Sequence, residues 1–155
     1  MTTRVAVAVG SNLGDRQRHV LFAQQHLTTL LENLRMSTLF ETEPVGVAGV
    51  QPSFLNAAAV GETALNVHEF FGALQDIEQA AGRERPFPGA ARTLDLDLIL
   101  FGTTILREPQ LEVPHPRFRE RRFVLEPLAE IAPDLRDPVT SLTIAELLAR
   151  LPPAR

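Results

Sequence analysis

The sequence predicts an α+β sandwich, and three observations point to it. Residues 4–9, 35–43 and 94–101 alternate with period two, the spacing of extended strands, and the short apolar run 54–61 reads as a further strand. Between the first and second of these stretches in chain order, and again between the third and fourth, apolar residues recur at the three- and four-residue spacing of an amphipathic helix. The resulting order is strand, helix, strand, strand, helix, strand. That is the ferredoxin-like split βαβ framework, a four-stranded antiparallel sheet covered by helices, and the residues beyond 102 form a C-terminal extension to it.

In the first strand Val5, Val7 and Val9 alternate with alanines small enough to allow close packing on the opposite face. Gly10-Ser11-Asn12-Leu13-Gly14-Asp15 then supplies turn formers and a helix N-cap. Free N–H groups at a helix start favour anions, but the glycine spacing fits neither phosphate-binding fingerprint, so a structural turn is expected. Val20, Ala23, Leu27, Leu30, Leu31 and Leu34 place a helix over about residues 16–32. Met36, Thr38, Phe40 and Thr42 alternate against Ser37, Leu39 and Glu41 in a second strand. The Pro- and Gly-rich stretch 44–52 exceeds what a tight hairpin needs, as loops that serve a ligand often do.

Phe54 and Asn56 share a face of the third strand. They are either a core aromatic beside a strand-edge amide, or a pair able to stack on and hydrogen-bond to a flat heterocycle. Asn66 with Glu69 has the form of a capping box, Phe70, Leu74, Ile77 and Ala81 mark the second helix, and Gly82 can end it. Gln75 and Glu78 fall on its exposed face. Residues 83–91 are a second irregular loop. Further on, the pattern suggests a short hairpin from 103–106 and 111–113, a helix at 124–129, a proline-containing connector at 133–138 and a last helix at 143–151.

With 155 residues, 45% of them apolar and 22% charged, the chain reads as one domain over 1–155 with a real core. No stretch is apolar for long enough to span a bilayer and the N-terminus lacks a signal-peptide layout, so a cytoplasmic protein without a membrane partner is expected. The absence of cysteine excludes thiolate chemistry and Cys-bound zinc. All 15 basic residues counted with lysine are arginine, which excludes a Walker-type loop and a Schiff-base enzyme. The net charge of −4 counts against a nucleic-acid partner.

The fourth strand is the unusual one. In Arg92-Thr93-Leu94-Asp95-Leu96-Asp97-Leu98-Ile99-Leu100-Phe101 the leucines take one face, and Asp95, Asp97, Ile99 and Phe101 the other. Aspartate is depleted in strands, and side chains two apart are separated by roughly 7 Å. The pair either points idly into water or holds something positive between its carboxylates, such as divalent cations about 3.5 to 4 Å apart. With Arg92 upstream and a basic cluster at His115, Arg117, Arg119, Arg121 and Arg122, the second choice suggests a polyphosphate ligand.

Taken together, Gly10-Ser11-Asn12-Leu13-Gly14, Thr42-Glu43-Pro44-Val45-Gly46, Gln51-Pro52-Ser53-Phe54-Leu55-Asn56-Ala57, Glu78 with Gly82-Arg83, Arg92-Thr93-Leu94-Asp95-Leu96-Asp97, Pro114-His115 and Arg121 with Phe123 resemble the 6-hydroxymethyl-7,8-dihydropterin pyrophosphokinase family. The resemblance implies a folate-pathway enzyme that moves a pyrophosphoryl group from ATP to a pterin alcohol. It implies two Mg²⁺ ions on Asp95 and Asp97, with Arg83 and Arg92 stabilising the transferring group. His115 and Arg121 would hold other parts of the triphosphate with help from Arg85, while Gln75 and Glu78 border the nucleotide and the backbone at Leu98 reads adenine. Phe54 and Phe123 would form a stacking slot for the pterin, and Asn56 with the backbone of Thr42, Glu43 and Val45 would satisfy its polar edge. The partners are then small molecules, and a monomer is expected.

The chain departs from the family where Phe87-Pro88-Gly89-Ala90-Ala91-Arg92 replaces a common Arg-Trp-Gly-Pro-Arg run, and where Pro116 follows His115 in place of a frequent aromatic. Either Phe87 replaces the missing indole or the loop packs more loosely over the pterin. Two other readings compete. A ligand-sensing module would leave the aspartates and arginines unexplained, and RNA binding on the sheet face would call for a basic surface.

Overall fold

The computed structural model describes residues 1–42, 53–82 and 93–153. Its elements are β1 (Thr3–Ser11), α1 (Arg16–Leu30), β2 (Glu32–Met36), β3 (Phe40–Thr42), β4 (Phe54–Thr63), α2 (Val67–Ala80), β5 (Asp95–Phe101), β6 (Leu106–Arg107), β7 (Glu112–Val113), a 3-10 turn (Phe118–Glu120), α3 (Arg122–Ile131) and α4 (Ile144–Ala149). The main sheet is antiparallel in the order β2-β4-β1-β5, with β3 also on β4. This is the split βαβ arrangement that the periodicities predict.

Alternation along β1 and β4 divides the core between two sheet faces. Val5, Val7, Val9, Leu55, Ala57, Leu96 and Leu98 meet Val20, Ala23 and Leu27 of α1 and Phe70, Leu74 and Ile77 of α2. Ala6, Ala58, Val60, Ile99 and Leu100 meet Phe118, Val124, Leu125 and Leu128, together with Ile144 and Leu147 of α4. The C-terminal extension is therefore a third layer, and the small side chains of Ala6 and Ala58 let α3 approach the sheet. Fully burying each large apolar side chain contributes about 1.5–3 kcal/mol.

Both halves of the Asn66–Glu69 capping box are present, and Gly82 lies just beyond the end of α2 at φ 80°. An unforeseen capping box, Thr143 with Glu146, starts α4, which is shorter than expected, whereas α3 is longer.

Three expectations need correction. The first helix ends at Leu30, so Leu34 lies in β2 rather than on the helix stripe. The chain must pass close over β4 here: a Cβ on Gly61 would stand 2.9 Å from the Leu31 Cβ and 3.0 Å from the Glu32 carbonyl oxygen. The second strand does not run unbroken over 35–43. Ser37 N–H donates to the Ala58 carbonyl (2.9 Å), but Ala58 N–H donates to the Ser37 hydroxyl oxygen (2.8 Å), so a side chain takes a carbonyl's place and the strand divides into β2 and β3.

The third correction concerns β5. Ala6 pairs with Leu100 and Val7 with Leu98, leaving Ile99 as an extra residue in a β-bulge. Leu94, Leu96 and Leu98 share a face as expected, but the bulge turns Leu100 toward α3 and returns Phe101 to the other side.

Candidate active site

The face that α3 covers is apolar at one end and polar at the other. Strand register sets Asn56, Gly10 and Asp95 side by side across β4, β1 and β5, and Ala58, Ala8 and Asp97 in the next row. Both aspartates are half-buried and point away from the leucine face. Phe54, two residues before Asn56, lies on the same side. Phe123, in the first turn of α3, is 38% exposed and therefore available for stacking, with the Arg121 guanidinium 5.5 Å above its ring.

Asn56 is buried and held in one orientation. Its amide N–H donates to the Thr42 hydroxyl at 2.7 Å, with a longer contact to the Phe40 carbonyl at 3.5 Å. A Cβ built on Gly10 would sit 3.4 Å from Asn56 Oδ1 and 3.7 Å from Phe54 Cδ1. Gly10 thus leaves a bare floor between the Asn56–Phe54 pair and the aspartates. In the sequence Gly10 opens a turn-forming stretch, and its place as the glycine that completes the Ala6–Ala8 face of a period-two strand is the signal for this floor.

The turn after Gly10 braces the acidic strand. Ser11 and Asn12 are buried, and the Ser11 hydroxyl donates to the Thr93 carbonyl at 2.5 Å. Asp15 caps α1, accepting from Arg18 N–H at 3.2 Å. The structural-turn expectation describes this arrangement.

Glu78 departs from its expected place. It is 5% exposed, and its carboxylate accepts from Leu96 N–H at 2.7 Å, which anchors β5 between the two aspartates. Gln75 is on the surface. The outer edge of β5 is also bonded at Ile99, whose carbonyl accepts from His115 N–H at 3.0 Å. There Asp97 and Leu98 face Phe71, Gln110, Glu112 and His115 across a cleft of about 160 Å³. Gln75 does not line it, and Phe71, Gln110 and Glu112 were not foreseen. The β6–β7 hairpin forming one wall is tied to α2 by His68 Nε2 and Glu108 Oε1 at 2.8 Å.

His115 Nδ1 accepts from Arg117 N–H at 3.2 Å, so the neutral ring carries its proton on Nε2. Burial, then the positive charges of Arg121 and Arg117, lower its pKa from 6.5 to about 4, against an opposing pull from Asp95. Because the fold favours neutral imidazole, this group's contribution to stability grows as pH rises from about 4 toward 6.5 and is lost as pH falls through that window. NMR of the ligand-free protein should find the His115 ring titrating near 4, and a bound triphosphate should move the midpoint upward. A ligand-free midpoint near 6.5 would contradict this electrostatic picture.

The expected basic cluster disperses. Arg119 makes a bidentate pair with the buried Asp137 (2.6 and 3.1 Å), Arg117 pairs with Glu120 and Arg122 with Glu126. Burial pushes the Asp137 carboxyl up, but hydrogen bonds from Arg119, Thr140 and Val139 outweigh it and hold the pKa below the ordinary range. Arg121 remains beside His115 and Phe123. Glu43, Val45, Arg83, Arg85, Phe87 and Arg92 lie outside the described residues.

Paired carboxylates with an imidazole and a guanidinium nearby are a set of groups that phosphotransfer enzymes use on hard cations and phosphate oxygens. Residues 6–133 match the family model of 7,8-dihydro-6-hydroxymethylpterin-pyrophosphokinase, and the chain belongs to that family. It is 42% identical over 154 residues to the 2-amino-4-hydroxy-6-hydroxymethyldihydropteridine pyrophosphokinase of Pseudomonas aeruginosa, covering 98% of this chain and 94% of that protein. The protein of the same name from Bacillus subtilis is 41% identical over 139 residues, covering 87% and 81%. A crystal structure of Plasmodium falciparum HPPK-DHPS with pteroate superimposes with a TM-score of 0.74 at 15% identity. That superposition covers 97% of this chain but 42% of the Plasmodium chain, and the likeness is one of fold.

Proposed function

We propose that residues 1–155 act as one cytoplasmic, monomeric domain that transfers the pyrophosphoryl group of ATP to 6-hydroxymethyl-7,8-dihydropterin in folate biosynthesis. The pterin hydroxyl oxygen forms a bond to the β-phosphorus, the bond from that phosphorus to the α,β-bridging oxygen breaks, AMP leaves, and the hydroxyl proton is lost. The observation that carries the reading is the shared sheet face. Asp95 lies in line with Asn56 across Gly10, which keeps the space between them open, and Asp97 lies in the adjacent row on the same face.

The acidic pair suits magnesium. Among the described residues no group of three or more His, Cys, Asp or Glu could hold a metal. Magnesium asks for less, binding through one or two carboxylates and completing its shell with water and phosphate oxygens. Two such ions on Asp95 and Asp97 would supply charge neutralisation on the triphosphate.

Arg83 and Arg92 act on the transferring group, with Arg85 assisting. His115 donates from Nε2 and Arg121 from its guanidinium to the remaining phosphate oxygens. Adenosine occupies the cleft at the β5 edge, where the Leu98 backbone reads the base; Gln75 borders the nucleotide from the surface of α2, outside the cleft lining, and Glu78 does so through the strand it anchors. The pterin lies between Phe54 and Phe123, with its polar edge on Asn56 and on the backbone of Thr42, Glu43 and Val45.

Incubation with ATP, Mg²⁺ and the pterin alcohol tests the whole reading: AMP should appear only when all three are present, and pterin-independent or absent AMP would end it. For Phe123→Ala, the lost stacking and burial should weaken pterin binding roughly tenfold while nucleotide affinity holds. Equal losses for both ligands in calorimetry would assign Phe123 to packing instead.

A further inference from the structure

The N-terminus of α1 lies on the sheet face opposite the ring slot, yet one of its side chains grips both strands that build the slot. Arg16 donates from a guanidinium nitrogen to the Ser53 carbonyl at 2.7 Å, and the same nitrogen lies 3.7 Å from a Glu41 carboxylate oxygen. Glu41 precedes Thr42 at the end of β3, and Ser53 precedes Phe54 at the start of β4. β3 is only three residues long and pairs Phe40 with Asn56, Glu41 with Leu55 and Thr42 with Phe54.

Alternation sends Thr42, Phe54 and Asn56 to the slot side, and Glu41 and Leu55 to the α1 side, where Leu55 joins the α1–α2 core. A three-residue ladder at a sheet margin opens readily by itself. Arg16 closes it from beneath at the end where the slot residues sit. Its side chain is 28% exposed, so the charged bond to Ser53 is partly shielded from water.

We propose that Arg16 is a positioning residue for the heterocycle. It touches no substrate, and through Ser53 and Glu41 it fixes the spacing of Thr42, Asn56 and Phe54 on the other face. This rests on the pterin slot proposed above.

Calorimetry on the full chain, with a nonhydrolysable ATP analogue and Mg²⁺ and then with the pterin alcohol, separates the possibilities. Because the bonded group is charged and the Ser53 carbonyl is left without it, Arg16→Ala should weaken pterin binding at least tenfold while the analogue's Kd stays within about twofold. Arg16→Lys, which keeps a cationic donor, should recover a large part of the loss. Glu41→Gln, which leaves the Ser53 bond in place, should change pterin affinity less than about threefold. Retained analogue binding also reports that each variant is folded; should Arg16→Ala fail that check, Arg16→Gln takes its place. Unchanged pterin affinity in the arginine variant, or parallel losses for both ligands, would overturn the inference and leave the slot reading standing. A wild-type chain that binds the analogue but no pterin would remove the slot, and the inference with it.

Discussion

Asp97→Ala should lower kcat by three or more factors of ten while the protein keeps its fold. A metal-held charge on phosphate oxygens is worth several kcal/mol in the transition state, and each 1.36 kcal/mol is a factor of ten in rate. Asp97 lies on a half-buried surface beside Asp95, so its removal leaves no cavity in the core and relieves a like-charge neighbour. The melting temperature should hold within a few degrees or rise. Magnesium titration followed by calorimetry or by nucleotide fluorescence should show weakened Mg·ATP binding with pterin affinity retained. A variant that turns over at the wild-type rate would remove the acidic pair from the reaction.

Glu78→Ala should combine the second-largest loss of rate with a loss of stability. The carboxylate is 5% exposed and accepts from the backbone N–H of Leu96, the residue between the two aspartates. Its removal strands a buried donor and opens space below the strand, a penalty of about 2–3 kcal/mol. For a chain of this size that lowers Tm by roughly 5–10 °C. A shift of the acidic strand by about 1 Å can lower the rate about a hundredfold. Glu78→Gln keeps an acceptor oxygen and should restore a large part of the stability. Full activity with unchanged melting in Glu78→Ala would show that β5 needs no such anchor.

These two residues also mark what periodicity could and could not reveal. Asp95 and Asp97 were legible because carboxylates interrupt an otherwise apolar strand pattern, and the capping box at Asn66 was legible because its chemistry is local. Glu78 was not, since the charge argued for solvent while its acceptor role depended on a strand eighteen residues away. A weak signal was present: Glu78 stands at i+4 from Leu74 and next to Ile77, on the buried stripe of α2. The arginine cluster misled for a related reason, because the distant Asp137 and the nearby Glu120 and Glu126 claim three of its members. Strand β5 and the β2–β3 edge were misjudged by single residues. One inserted residue at Ile99 resets the parity of everything after it, and one hydroxyl at Ser37 imitates a carbonyl, and neither event leaves a mark in hydrophobic spacing.

The margins of the sheet have a further consequence for the concentrated protein. On one side the outermost strand is broken between Met36 and Phe40, with Asn33 at φ 54° and Thr38 bonded through N–H and hydroxyl to Glu130. On the other, the Leu96 N–H is taken by Glu78 and the Ile99 carbonyl by His115. Among the described residues, neither margin presents a long flat row of open donors and acceptors, the template on which strands from separate molecules join into fibrils. The same bonds that hold β5 and the β2–β3 margin in place therefore leave strands of a second molecule little of these margins on which to pair.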